Sequence, residues 1–189
     1  MRLWEEPADV VTWERASVAD VNQLLAERHY LGPVRGAVVF VFAGVRGRDV
    51  VAAQVWKLPT SRHLPSDGSW LELSRWCLTP DAGAWAGSRM HAWAARYLRA
   101  NAPRVTTLVS YSDPGAGHTG ALYKACNWEW RPTWMRLAPP PSGGGSWDGV
   151  TMQTPKDRWI FALRRDGSRD AWLPLAPAYR RLLDAGMPA

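Results

Sequence analysis

The sequence predicts a mixed α/β domain, one sheet flanked by helices, and three observations carry that prediction. Short β-branched runs alternate with two stretches of helical spacing. Gly and Pro clusters punctuate nearly every junction, and no internal repeat is visible. The length, 189 residues with 47% hydrophobic, suits a single domain over 1–189 that buries its own core.

Residues 8–15 (ADVVTWER) read as the first strand. Ser17 opens a helix with Asp20 three residues later, a capping-box-like start, and Val21, Leu24 and Leu25 form its apolar stripe. Gly32-Pro33 is expected to end it, since Gly takes the left-handed cap and Pro cannot continue. Residues 36–43 and 49–57, joined by GVRGR, predict a hairpin. Residues 69–78 (SWLELSRWCL) alternate, with a slippage that brings Leu71, Leu73, Trp76 and Leu78 together. After the loop DAGAWAGS, a helix is expected over 88–101, where Met90, Trp93, Ala94, Tyr97 and Leu98 recur at helical spacing. Residues 104–111 (RVTTLVSY) predict a strand, ALYKACN a short helix, and WEWRPTW strand-like chain. The stretch 138–149 (APPPSGGGSWDG) is expected to be an exposed loop. Residues 158–163 read as a last strand and 178–185 as a short helix.

Composition narrows the class. Two cysteines, Cys77 and Cys126, exclude a disulfide framework and form no CxxC pair, so a reduced intracellular setting without structural zinc is expected. There is no run of 18 apolar residues, and acidic residues stand where a signal peptide would be basic and apolar. A soluble cytoplasmic protein with no membrane partner is therefore expected. The net charge of +6 favours polyanions such as nucleic acid. Thirteen Trp stand against three Phe. Trp56, Trp76 and Trp93 are expected to replace Phe in the core, while an exposed Trp can stack on nucleobases.

The element order, a Gly/Ala/Ser loop entering a helix after the fourth strand, and LYKACNW (122–128) resemble the GNAT acyltransferase fold. The last motif is similar to the family's L-Y-x-x-x-G-F, with Asn127 keeping the left-handed turn. The resemblance implies that Gly83, Gly87, Ser88 and Arg89 hold the pyrophosphate of acyl-CoA at a helix N-terminus. It also implies that Tyr123 protonates the departing thiolate. DAGAWAGSR departs from the family's Q/R-x-x-G-x-G/A pattern. Another activated acyl or aminoacyl donor therefore stays open, as does a plain loop capped by Ser88.

HYLG (29–32), LELSRWCL (71–78) and SYSDPGAGHTGALYKACNW (110–128) together resemble the Mom family, phage DNA-modification proteins on a GNAT-like fold that act on the exocyclic amine of adenine. The resemblance implies a transferase that adds a small acyl-derived group, such as carbamoylmethyl, to double-stranded DNA and so protects it from restriction. Its catalytic candidates are His29, Asp113 and Tyr123, with Glu72 as base or orienter and Arg75 as its partner or a phosphate holder. Simpler roles stay open: an Asx cap for Asp113, a helix-end cation for His29, a core tyrosine for Tyr123, a Glu72–Arg75 ion pair. His29, Asp113 and His118 are also of the right types for a two-His, one-carboxylate metal site, though without a local signature. Arg89, Arg96, Arg99, Arg131 and Arg136 are candidates for DNA phosphate contacts, with His118 on phosphate or donor and Trp147 in a groove. Rival functions are a GNAT N-acetyltransferase for a peptide or small amine, and a non-catalytic Trp-rich nucleic-acid-binding module.

Overall fold

A computed structural model describes residues 10–131 and 156–164. These form a seven-stranded sheet in the order β1-β2-β3-β4-β5-β7-β6. In sequence the elements run β1 (Thr12–Arg15), α1 (Val18–Arg28), β2 (Phe40–Arg46), β3 (Asp49–Lys57), β4 (Trp70–Leu78), α2 (Ala86–Asn101), β5 (Thr107–Ser112), α3 (Ala121–Ala125), β6 (Glu129–Arg131) and β7 (Asp157–Ala162). Every strand pair is antiparallel except β4 with β5. The expected mixed single sheet is present. The loop at 138–149, the helix at 178–185, Arg136 and Trp147 lie outside the described residues.

Local chemistry sets the ends. The Ser17 capping box forms as expected: Ser17 Oγ accepts from the Asp20 N–H, and Asp20 Oδ2 accepts from the Ser17 N–H. The helix stops at Arg28, four residues before Gly32, because His29 turns extended. Gly32, at φ 63, serves instead the tight turn that follows, its N–H bonding the His29 carbonyl at 2.6 Å. The strand expected from residue 36 begins at Phe40. α2 starts at Ala86 rather than Ser88; Trp85, at φ 65, is its N-cap, and the Ser88 hydroxyl donates to the Trp85 carbonyl. β5 starts at Thr107, three residues later than expected.

The sheet is covered differently on its two faces. α2 and α3 lie on one face over Trp56, Leu71, Leu73, Leu108, Trp128 and Trp159. α1 lies on the other, packing Val21, Leu24 and Leu25 against Val55 and Cys77. The slippage read in β4 is a bulge at Ser74: Val55 pairs with Arg75 but Trp56 pairs with Leu73. Leu71 and Leu73 therefore share the α2 face with Trp76, while Glu72 and Arg75 share the α1 face. Trp56 is fully buried, and Trp76 and Trp93 are partly buried against the same core.

Close packing at the start of α3 gives a test of this frame. Gly120 sits at φ 70, and a Cβ added there would collide with the Trp159 ring. Gly120→Ala therefore combines left-handed strain of about 1 kcal/mol with over-packing of about 1–3 kcal/mol. A melting temperature lower by roughly 5–10 °C is expected in thermal unfolding. An unchanged value contradicts the packing described.

Candidate active site

β4 and β5 run parallel only from Trp70–Leu73 against Thr107–Ser110, and beyond that register they part. Ser110 Oγ donates to the Leu73 carbonyl at 2.9 Å at the last paired position, just before the Ser74 bulge. The opening lies at the carboxyl end of β5 and midway along β4, which runs on to Leu78; strand carboxyl ends are where open α/β sheets place their ligands.

One wall of the opening is the segment 29–32. Arg75, aimed to this face by the bulge, donates to the carbonyls of Gly32 (3.1 Å), Ser74 (2.9 Å) and Leu31 (3.3 Å). His29 Nδ1 accepts from the Leu31 N–H at 3.2 Å, so the ring proton of the neutral imidazole resides on Nε2. Burial, then the Arg75 guanidinium and His118, push His29 down to about 4, which keeps it neutral at physiological pH. Tyr30 stacks on His29 at 5.0 Å and meets His118 edge-on at 4.7 Å, yet remains 43% exposed. Burial of its hydroxyl end and the Asp113 carboxylate raise the Tyr30 phenol above its ordinary value, against the pull of Arg75.

The opposite wall is the loop after β5. Asp113 is extended, as expected before Pro114, and its Oδ1 accepts from the Gly115 N–H at 3.0 Å. Its Oδ2 faces the Lys156 ammonium at 3.9 Å, and that ammonium lies 6.0 Å from the Tyr30 ring centre. The Asp113 carbonyl also accepts the His118 N–H, fixing the turn that carries the imidazole.

Tyr123 forms the floor from the α2 side. Ser110 Oγ gives its proton to Leu73, so at 2.8 Å it accepts from the Tyr123 hydroxyl. Deep burial of that hydroxyl pushes the phenol up to about 12. The ring stacks on Trp159 at 5.3 Å and meets Trp76 and Trp128 edge-on. The Trp159 N–H is held by Ser112 Oγ at 2.8 Å.

The structure thus brings His29, Arg75, Asp113 and His118 to one opening with Tyr123 beneath it. Tyr30, Ser110 and Lys156 join them unpredicted. Tyr30 and Ser110 lie inside the motifs HYLG and SYSDP; Lys156 had no local signal. Glu72 points elsewhere: it is buried, and its carboxylate accepts from the Thr60 N–H (2.8 Å) and hydroxyl (3.1 Å) and pairs with Lys57 (3.2 Å) rather than Arg75. Among the described residues no three His, Cys, Asp or Glu side chains gather to hold a metal ion, and Tyr30 packs between His29 and His118.

At the start of α2, Gly83 is open at φ 94, and Gly87 is a packing position whose Cβ would meet Leu122 at 2.5 Å. Arg89 and Arg96 are exposed. Arg99 donates to the Leu163 carbonyl at 2.8 Å, beside the amino end of β5. That end is roughly 20 Å of strand away from Asp113. Arg131 pairs with Glu129 at 2.7 Å on β6.

Residues 14–138, well over half of the chain, match the Mom protein family. The chain belongs to the Mom family. Two stretches within the matched residues, HYLG and the run from Ser110 to Trp128, supply both walls and the floor of the opening. No curated protein matches the sequence. Among solved structures, a protein assigned to the GNAT acetyltransferase family from Desulfovibrio desulfuricans aligns with a TM-score of 0.57 and 9% identity over 82% of this chain and 100% of its own. The ribosomal-protein-S18-alanine N-acetyltransferase from Escherichia coli aligns at 0.52 and 13% identity over 80% and 91%. A Bacillus subtilis acetyltransferase in complex with CoA aligns at 0.53 and 12% identity over 82% and 100%. Identities this low establish a shared GNAT fold.

His91 of this Mom-family chain, on the buried face of α2, has neither ring nitrogen bonded and lies between Trp76, Trp128 and Phe161. Burial, then Arg99, push it down to about 4. Its folded value lies below the unfolded one of about 6.5, so the unfolded chain binds the extra proton between those pH values and stability is lost as pH falls from 6.5 to 4. His91→Phe keeps the ring packing and is expected to flatten the stability–pH slope at pH 5 by close to one proton, about 1.4 kcal/mol per pH unit. Denaturant unfolding at pH 5 and 7 measures it, and an unaltered slope contradicts a neutral buried imidazole.

Proposed function

We propose that this protein is a phage-encoded DNA-modification transferase that adds a small acyl-derived group to the exocyclic amine of adenine. The observation that carries the reading is the convergence of Asp113, His29, Arg75 and His118 above Tyr123, from separate motifs of one family, at the point where β4 and β5 part. An ordinary packing role requires no such gathering of titratable groups at a strand-end opening. The +6 charge suits a polyanionic substrate, and a target base inside a duplex must be everted to reach the opening.

The side chains divide the chemistry. The adenine amine is a weak nucleophile, its lone pair conjugated with the ring, and must lose a proton as the new N–C bond forms. Asp113, the acceptor at the opening, takes that proton. His29, with Nδ1 engaged by the Leu31 N–H, presents Nε2–H as a donor and so holds an oxygen rather than acting as base. Tyr123, protonated throughout the physiological range, leaves Ser110 and gives its proton to the departing group.

An acyl-CoA donor, implied by the fold and bound by some of its neighbours, would supply an activated carbonyl and a thiolate leaving group. The start of α2 fits its diphosphate through the Gly87 and Ser88 N–H groups, which have no backbone acceptor among the described residues, and through the open approach at Gly83. Arg89 is the nearest basic side chain in sequence, so the backbone carries more of this task than in loops with the family's usual basic residue.

Mass analysis of nucleosides from DNA of cells expressing the protein tests the reading; a modified deoxyadenosine is expected. Tyr123→Phe and Asp113→Asn are each expected to lower that modification by roughly 10²–10⁴ with near-native stability. Unmodified DNA together with acetylation of a peptide or small amine by the purified protein replaces this reading with the ordinary acetyltransferase.

A further inference from the structure

On the α1 face of the sheet, no helix among the described residues covers β5, β7 and β6; the apolar cover that these residues provide there is Leu64, which packs on Trp70, Val109 and Ile160. Beside that small cluster the face turns basic. Arg158 on β7 stands directly opposite Arg131 on β6 and Tyr111 on β5, so all three side chains share the face. Lys156, two residues before Arg158 and thus on the same face, reaches the opening at Asp113.

Two guanidiniums placed directly across a strand pair repel one another, and folding alone does not select that arrangement. Among the described residues one carboxylate answers them: Glu129 pairs with Arg131, and that pair is too exposed to contribute much. Arg158 is half-buried and its Nε has no hydrogen-bond partner. Burial, and then the Arg131 charge, hold its guanidinium below the ordinary value, with Tyr111 opposing. Among the described residues, this half-buried cation with an unused donor stands next to a second cation and has no anion of its own.

We propose that Arg158 and Arg131 form a phosphate site for the DNA backbone, one sheet strand away from the opening, which seats the strand beside the everted base. The inference rests on the DNA-modification reading and assigns it a place on the molecule: the duplex lies across β5, β7 and β6, with Lys156 marking where the base leaves the backbone for the opening. Planar guanidiniums suit this task because they offer paired N–H donors to phosphate oxygens.

Fluorescence anisotropy of a labelled duplex oligonucleotide with the full-length protein, at salt between 50 and 200 mM, tests it. Arg131→Gln and Arg158→Gln are each expected to weaken binding roughly tenfold and to reduce the slope of log affinity against log salt by about 1. Arg48→Gln, the same charge change in the exposed β2–β3 turn, is expected to leave both unchanged. Arg158→Gln is also expected to keep or raise the melting temperature, because it relieves a like-charge pair; a purely structural arginine would lower it. Arg131, more exposed, carries the test if Arg158→Gln fails to fold. Variants that bind DNA with the wild-type slope overturn the assignment while the DNA reading stands. Equal weakening by Arg48→Gln overturns it too, as does an effect confined to KM for the acyl donor. Absence of DNA binding by the wild-type protein overturns both readings together.

Discussion

The extra residue at Ser74 is the constraint on which the opening depends. A regular strand would keep residues 71, 73, 75 and 77 on one face. With Ser74 bulged, Leu71 and Leu73 stay under α2 while Arg75 crosses to the α1 face. Arg75 then binds the carbonyl of the bulged residue and those of Leu31 and Gly32, so the irregularity in β4 also fixes the segment that carries His29 and Tyr30. The same bulge follows the last pairing with β5, and Ser110 closes that junction through the Leu73 carbonyl.

The two faces meet at this junction with different electrostatics. Between the sheet and its α2 and α3 cover, Tyr123 from α3 and His91 from α2 join Trp76, Trp128 and Trp159 in a continuous aromatic layer in which the phenol and the imidazole are both held neutral by burial. On the α1 face, charged groups surround the opening: Arg75, Asp113 and Lys156 at its rim, Arg158 and Arg131 beyond it. An opening between a neutral aromatic floor and a charged rim is suited to a planar, uncharged base attached to an anionic backbone. Polar atoms of Gln54, His91, Trp76 and Trp128 stand without hydrogen-bond partners on the α2 side of the sheet.

The sequence determined the fold class, the capping of α1, the extents of β3 and β4 to within a residue, and the motifs that line the opening, because these depend on local spacing and turn chemistry. Even the Ser74 bulge was legible, as a slip in alternation between Leu73 and Trp76. Tertiary structure decided the rest. α1 ends at Arg28, well before Gly32, and the chain that follows is held by Arg75 from a strand more than 40 residues later. Glu72 and Arg75, both polar neighbours of one strand, part company because Thr60 and Lys57 reach the first and the backbone of 31–32 reaches the second. Lys156 and Arg158 carry no motif, and come to stand beside β5 because β7 inserts between β5 and β6. Sequence periodicity records which face a residue occupies; which distant charge meets it there depends on strand order, and only the folded sheet sets that.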